Sequence, residues 1–107
     1  MIMYYTYMLR CADNSIYTGI TTDVARRFAE HSGQIAGKCA KYTESRKAVR
    51  IDAVWKSENR ETASRLEYYI KKLPKNKKEQ LIDDRDNLKK FLSDKVDCSA
   101  YKPINFK

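Results

Sequence analysis

The chain reads as an α+β protein in which a small three-stranded antiparallel sheet is flanked by helices in the order β-β-α-β-α-α. Three observations predict it. The run "MYYTYML" at residues 3 to 9 and "IYTGI" at 16 to 20 are two β-favouring segments joined by turn chemistry, which makes a hairpin. "VRIDAVWKS" at 49 to 57 alternates apolar and polar residues, placing Val49, Ile51, Ala53 and Trp55 on one face of a third strand. "VARRFAEH" and "NRETASRLEYYIKKLP" repeat their apolar residues at helical spacing. A sheet of three strands is too small to stand alone, so helices must cover its apolar face.

Each element has a local cause. Asp13 and Asn14 tolerate left-handed backbone, which suits the turn of the hairpin. Gly19 removes a side chain near the end of the second strand and permits close approach of another group. "TTD" at 21 to 23 supplies helix-capping residues before Val24, Phe28 and His31, which share one helical face. Residues 32 to 50 hold the other two glycines and five basic residues, and are expected to form a long, partly irregular connection. Ala63, Leu66, Ile70 and Leu73 make one stripe that Pro74 ends. Asn76, with Glu79 three residues on, predicts the cap of a further helix over "KNKKEQLI", and "RDNLKKFL" at 85 to 92 predicts a last one. Residues 93 to 107 show no period and are expected to form a loop or loosely packed arm, leaving 1 to 92 as the folded domain.

Composition narrows the function. The chain has 107 residues, 42% hydrophobic, with 3 Gly and 2 Pro, the profile of one ordinary folded domain. Its formal charge is +8, and residues 36 to 60 carry 7 basic against 3 acidic side chains while 61 to 82 carry 6 against 3, so seven of the eight surplus charges lie there. A concentrated positive field favours a polyanion, nucleic acid first among them, although basic residues also serve plain solubility. Cys11, Cys39 and Cys98 are odd in number and far apart, with His31 the one histidine, so neither a disulfide framework nor a zinc site is indicated. The apolar start "MIMYYTYMLRC" is broken by Arg10 and lacks a basic leader or small-residue cleavage site, so a membrane span is not expected and the cytoplasm is.

Five side chains invite chemistry. Tyr7 and Tyr17 stand on the hairpin, Arg27 and His31 share a face of the first helix four residues apart, and Glu67 falls beside the apolar stripe of the second. An acid at the edge of a core needs a counter-charge, hydrogen bonds or a metal. A structural Arg27–Glu67 ion pair meets that need equally well, and His31 also fits a helix C-terminus.

A resemblance weights the choice. "YTY" at 5 to 7, "YTG" at 17 to 19, "ARRFAEH" at 25 to 31, "LEYYIKKL" at 66 to 73 and the longer run "LRCADNSIYTGITTDVARRFAEH" resemble the small stand-alone bacterial members of the GIY-YIG nuclease superfamily, whose catalytic domain also occurs in UvrC and intron endonucleases. "AKYTESRKAVR" at 40 to 50 is similar to a loop of those members. Tyr5, Thr6 and Thr18 depart from the glycine and isoleucines of the two motifs, whereas Tyr7, Tyr17 and Gly19 keep their chemical groups. The resemblance implies a metal-dependent DNA endonuclease, with Tyr7, Tyr17, Arg27, His31 and Glu67 as catalytic residues and Glu67 as ligand of one divalent ion, Mg²⁺ or Mn²⁺. A carboxylate suits a hard cation, and a guanidinium fork suits a phosphate. DNA repair or processing of branched DNA is the implied setting. A non-catalytic nucleic-acid-binding module on the same fold is the alternative. Larger relatives select targets through added domains, so a partner protein or subunit for target selection is expected.

Two further expectations follow. Gly19, Lys41, Tyr42, Arg46, Lys71 and Lys72 are candidate nucleic-acid contacts, the cations for phosphates and Tyr42 for an exposed base. Facing residues in a hairpin keep a constant index sum, so a two-residue Asp13-Asn14 loop would put Tyr7 and Tyr17 on opposite faces. A shared site requires a three-residue loop or a bulge.

Overall fold

The computed structural model describes residues 2–32 and 47–105 of the chain. Strands β1 (Tyr4–Cys11) and β2 (Ile16–Thr21) lead into helix α1 (Val24–His31); strand β3 (Ala48–Ser57) then precedes helices α2 (Arg60–Lys71), α3 (Lys75–Asp83) and α4 (Asn87–Leu92). A 3₁₀ turn at Cys98–Ala100 and a two-residue strand β4 (Lys102–Pro103) complete the chain. All strand pairs are antiparallel, in the order β2-β1-β3-β4. The α+β class and the helix-flanked sheet are as the sequence predicts, with a fourth strand added.

The hairpin meets its geometric requirement. Tyr5 pairs with Thr21 and Arg10 with Ile16, and the Cys11 N–H donates to the Ser15 carbonyl at 2.9 Å, which leaves a loop of residues 12 to 14. Asn14 takes φ 70°, the left-handed backbone its short amide side chain tolerates. Tyr7 therefore faces Gly19 while Tyr17 faces Leu9, and both tyrosines lie on one side of the sheet.

Both sheet faces are covered. On one, Met8, Ala53 and Trp55 pack with Leu66 and Ile70 of α2, Leu81 of α3, and Leu88 and Leu92 of α4. On the other, Tyr7, Leu9 and Val54 pack with Val24 and Phe28 of α1. The register between β1 and β3 shifts twice, between Met8 and Leu9 and between Arg10 and Cys11, so Asp52 and Val49 are extra residues on β3. This corrects the single apolar face expected for the third strand. The bulge at Asp52 sends Ile51 to the α1 side and Ala53 to the other, and Val49 is 57% exposed.

Two other expectations are corrected. Pro74, not Asn76, precedes the first turn of α3, and its carbonyl accepts from the Lys77 and Lys78 amides. Glu79 is drawn instead to the buried Arg10 guanidinium, which it grips through both oxygens while Arg10 Nε donates to Asp52 at 3.0 Å. The segment after α4 is no loose arm. Val96 and Tyr101 are buried, the Tyr101 hydroxyl donates to the Thr62 carbonyl at 2.7 Å, and Trp55 pairs with Pro103. An aperiodic stretch hides such anchors because two apolar residues five apart follow neither helix nor strand spacing. Among the described residues no helix is long and apolar enough to cross a membrane.

Candidate active site

Tyr7, in the middle of β1, is fully buried, and its ring lies over Gly19 of the neighbouring strand. A Cβ added at Gly19 would stand 2.5 Å from Tyr7 Oη and 2.8 Å from Cζ. Glycine is required here for close approach, and not for its own backbone angles. Gly19→Ala should cost about 1–3 kcal/mol by overpacking against a ring with nowhere to go, read as a lower urea midpoint. A stability equal to wild type would mean that Tyr7 moves freely.

Two more rings close around that phenol. Tyr17, diagonal to Tyr7 across the hairpin, has its ring centroid 6.2 Å away, and the His31 ring lies 4.8 Å from Tyr17. Asp23 caps α1 by accepting from the Arg26 amide at 3.1 Å, and the eight-residue helix delivers His31 at its last position, buried under the sheet face. The Tyr7 hydroxyl and His31 Nε2 are 3.3 Å apart. A phenol that donates to this nitrogen requires the imidazole proton on Nδ1.

Arg27, one turn earlier on α1 and half-buried, reaches the same hydroxyl by charge and hydrogen bonding. Its Nη1 donates to Glu30 at 2.6 Å, and Arg26 Nε donates to the other Glu30 oxygen at 3.4 Å. The Arg27 hydrogen bond holds the Glu30 carboxyl below the usual carboxylate range against the opposing effect of burial. Glu30 thus fixes the guanidinium fork beside the phenol.

Glu67 arrives from α2, which is capped by Asn59 accepting from the Thr62 amide at 2.8 Å and anchored through Ala63, Leu66 and Ile70. The helix packs on β1 and β2, and Thr6 of β1 donates to the Ala63 carbonyl at 3.0 Å. That seat brings the Glu67 carboxylate within electrostatic reach of Tyr7. Its side chain is 24% exposed and pairs with Lys71 at 3.3 Å. The Arg27–Glu67 pair that the sequence also allowed is replaced by separate partners, Glu30 for Arg27 and Lys71 for Glu67.

The site's protonation follows from its geometry. Burial, reinforced by Tyr17 and Glu67 and opposed by Arg27, raises the Tyr7 phenol well above its ordinary value. Burial and the nearby Arg27 charge lower His31 from 6.5 to about 4. At neutral pH the proton of the pair therefore sits on Tyr7, and His31 is a neutral acceptor. Because the unfolded chain binds the His31 proton more readily, this histidine's contribution to stability is complete above pH 6.5 and is lost as pH falls toward 4. Urea unfolding should show that decline, and His31→Gln should flatten it. An unchanged slope would mean another group titrates.

Among the described residues a metal would find the Glu67 carboxylate here, since Glu30 is held by Arg26 and Arg27. Among the described residues no three His, Cys, Asp or Glu side chains cluster as ligands, which disfavours a closed zinc-type site. A single, partly exposed carboxylate fits Mg²⁺ or Mn²⁺, which keep waters and substrate phosphate oxygens around one or two protein ligands.

The structure thus brings together Tyr7, Tyr17, Arg27, His31 and Gly19, with Glu67 at the margin. Lys71 at the end of α2 and Lys72 just after it are exposed, whereas Lys41, Tyr42 and Arg46 lie outside the described residues. Sequence reasoning missed Glu30, whose signal was its place three residues after Arg27. It also missed Tyr68, 53% exposed beside Glu67, with Lys72 Nζ 4.6 Å above its ring. The spacing of Tyr68 and Lys72, one helical turn, was its signal.

Comparison with known proteins identifies the family. The profile of a family described as the GIY-YIG catalytic domain matches residues 3–80. UPF0213 protein FN1575 of Fusobacterium nucleatum is 48% identical over 84 residues, 78% of this chain and 81% of that protein. UPF0213 protein YhbQ of Salmonella typhimurium is 41% identical over 93 residues, 87% of this chain and 90% of that protein. The solution NMR structure of the UPF0213 protein BH0048 from Bacillus halodurans has 44% sequence identity, covers 76% of this chain and 83% of its own, and has a TM-score of 0.48. The chain belongs to the GIY-YIG family.

Proposed function

We propose that the protein is a metal-dependent DNA endonuclease, with branched or otherwise irregular DNA met in repair as its target class. The observation that carries this reading is the Tyr7 hydroxyl of β1, which meets a neutral imidazole and a guanidinium from α1 and lies within electrostatic reach of a carboxylate from α2. A module that only bound nucleic acid would have no use for a partly exposed carboxylate at the margin of its phosphate site.

The chain's own groups divide the work. Arg27, held by Glu30, receives the scissile phosphate and stabilises the charge that grows on it. Its own charge is thereby compensated, which removes one of the two causes that depress His31 and makes Nε2 a better acceptor. Tyr7 then takes a proton from the attacking water at Oη as it passes its own to His31 Nε2. Tyr17 and Gly19 hold the phenol in line by packing and by leaving space. Glu67 binds the divalent ion, which when present polarises a phosphate oxygen. Lys71, Lys72 and the exposed Tyr68 extend the surface for the strand on either side, the cations to phosphates and the ring to a base. Three cysteines, odd in number and far apart in sequence, fit a reducing compartment, and we place the activity in the cytoplasm. A separate protein or subunit supplies target choice in this reading.

Nicking of supercoiled plasmid tests it. Conversion to the open form with Mg²⁺ or Mn²⁺, stopped by EDTA, is the expected result. DNA that is retarded in a gel yet never cut with either metal would leave a binding module.

A further inference from the structure

We infer that Lys71 guards Glu67: without nucleic acid its ammonium occupies the carboxylate meant for the metal, and an incoming backbone phosphate draws it away toward Lys78, opening the metal site. The inference rests on Glu67 being the metal ligand.

The pair has the stronger helical orientation, glutamate one turn before lysine, with Lys71 Nζ 3.3 Å from Glu67 Oε2. Lys71 is nevertheless 53% exposed at its side chain, so a four-carbon stem in water can change partner cheaply. Its alternative destination is set by the other lysines. Lys72 sits over the Tyr68 ring, Lys77 over Phe91, and Lys75 donates to the Asn14 carbonyl. Lys78 is half-buried on α3, and its ammonium has no hydrogen bond or ion pair among the described residues. Burial, with Lys71 as neighbour, lowers its pKa. Lys71 and Lys78 are close enough for their charges to oppose one another, and an anion that reached both would relieve that repulsion.

A phosphate bridging Lys71 and Lys78 would satisfy both cations and leave Glu67 without its counter-charge. Metal and polyanion would then favour each other's binding, and the linkage is reciprocal. The coupling would restrain an unloaded nuclease from charging its metal site before a strand arrives.

Mn²⁺ binding to the full chain without nucleic acid, followed by electron paramagnetic resonance, is the deciding measurement. Lys71→Gln should bind Mn²⁺ about two- to five-fold tighter than wild type, the scale of one surface ion pair, and Glu67→Gln should lose the site. Equal affinity of Lys71→Gln and wild type, with Glu67→Gln still deficient, would overturn the inference and leave Glu67 as metal ligand. Undiminished binding by Glu67→Gln would instead overturn the reading beneath it. In EDTA, Lys71→Gln and Lys78→Gln should each weaken binding of a fluorescent oligonucleotide and reduce its salt dependence. Wild-type affinity in Lys78→Gln would remove the proposed phosphate seat.

Discussion

Glu67→Gln should lower metal-dependent cleavage on the order of 10³-fold or more, since the ligand proposed for the ion loses its charge while its shape is kept. Its fold should survive. The side chain is partly exposed and its ion-pair partner, Lys71, lies on the surface; such a pair contributes at most about 1 kcal/mol, or a few degrees of melting temperature. Loss of rate with retained stability separates a chemical role from the structural ion pair that the sequence equally allowed. Comparable losses of both would return Glu67 to the core.

Arg10→Ala should be the most destabilising single change. Arg10 and Asp52 have side chains 8% and 5% exposed, and the guanidinium also grips Glu79 and donates to the Asn14 carbonyl at 3.1 Å. One residue thereby joins the hairpin loop, the β3 bulge and α3. Removing one member of a buried pair costs about 3–5 kcal/mol because the other charge is left stranded. We expect the low end, about 3 kcal/mol, because Arg50 also holds Asp52. Thermal unfolding should fall by about 10 °C or more. Arg50→Ala, on an exposed side chain, should cost no more than about 1 kcal/mol. A reversed order would mean that the exposed arginine holds the bulge. Glu79 shows why this network escaped sequence reading: three residues after Asn76 it imitates a capping box, and only the fold reveals an arginine sixty-nine positions away.

What was legible depended on the range of the cause. Asp23 and Asn59 announce their helices because capping is decided within three residues. The odd-length hairpin loop followed from parity alone, once Tyr7 and Tyr17 had to share a face. Register between β1 and β3 obeys no such local rule, so the bulge at Asp52 and the outward Val49 were invisible. The same holds for Tyr101, buried through a hydrogen bond to Thr62, thirty-nine residues earlier in the chain. At the site, residue types pointed to phosphate chemistry, whereas burial determined their protonation. A tyrosine acting alone as a base would need a lowered pKa, yet burial raises that of Tyr7, and His31 becomes the neutral acceptor beside it.

Single-turnover cleavage by Tyr7→Phe probes the convergence on that hydroxyl most directly, since the substitution deletes one oxygen and keeps the ring over Gly19. A loss of about 10²-fold or more, with Mn²⁺ affinity and melting temperature near those of wild type, is the predicted result. Cleavage at the wild-type rate would contradict it, because His31, Arg27 and Glu67 would then surround a group that takes no part in the reaction.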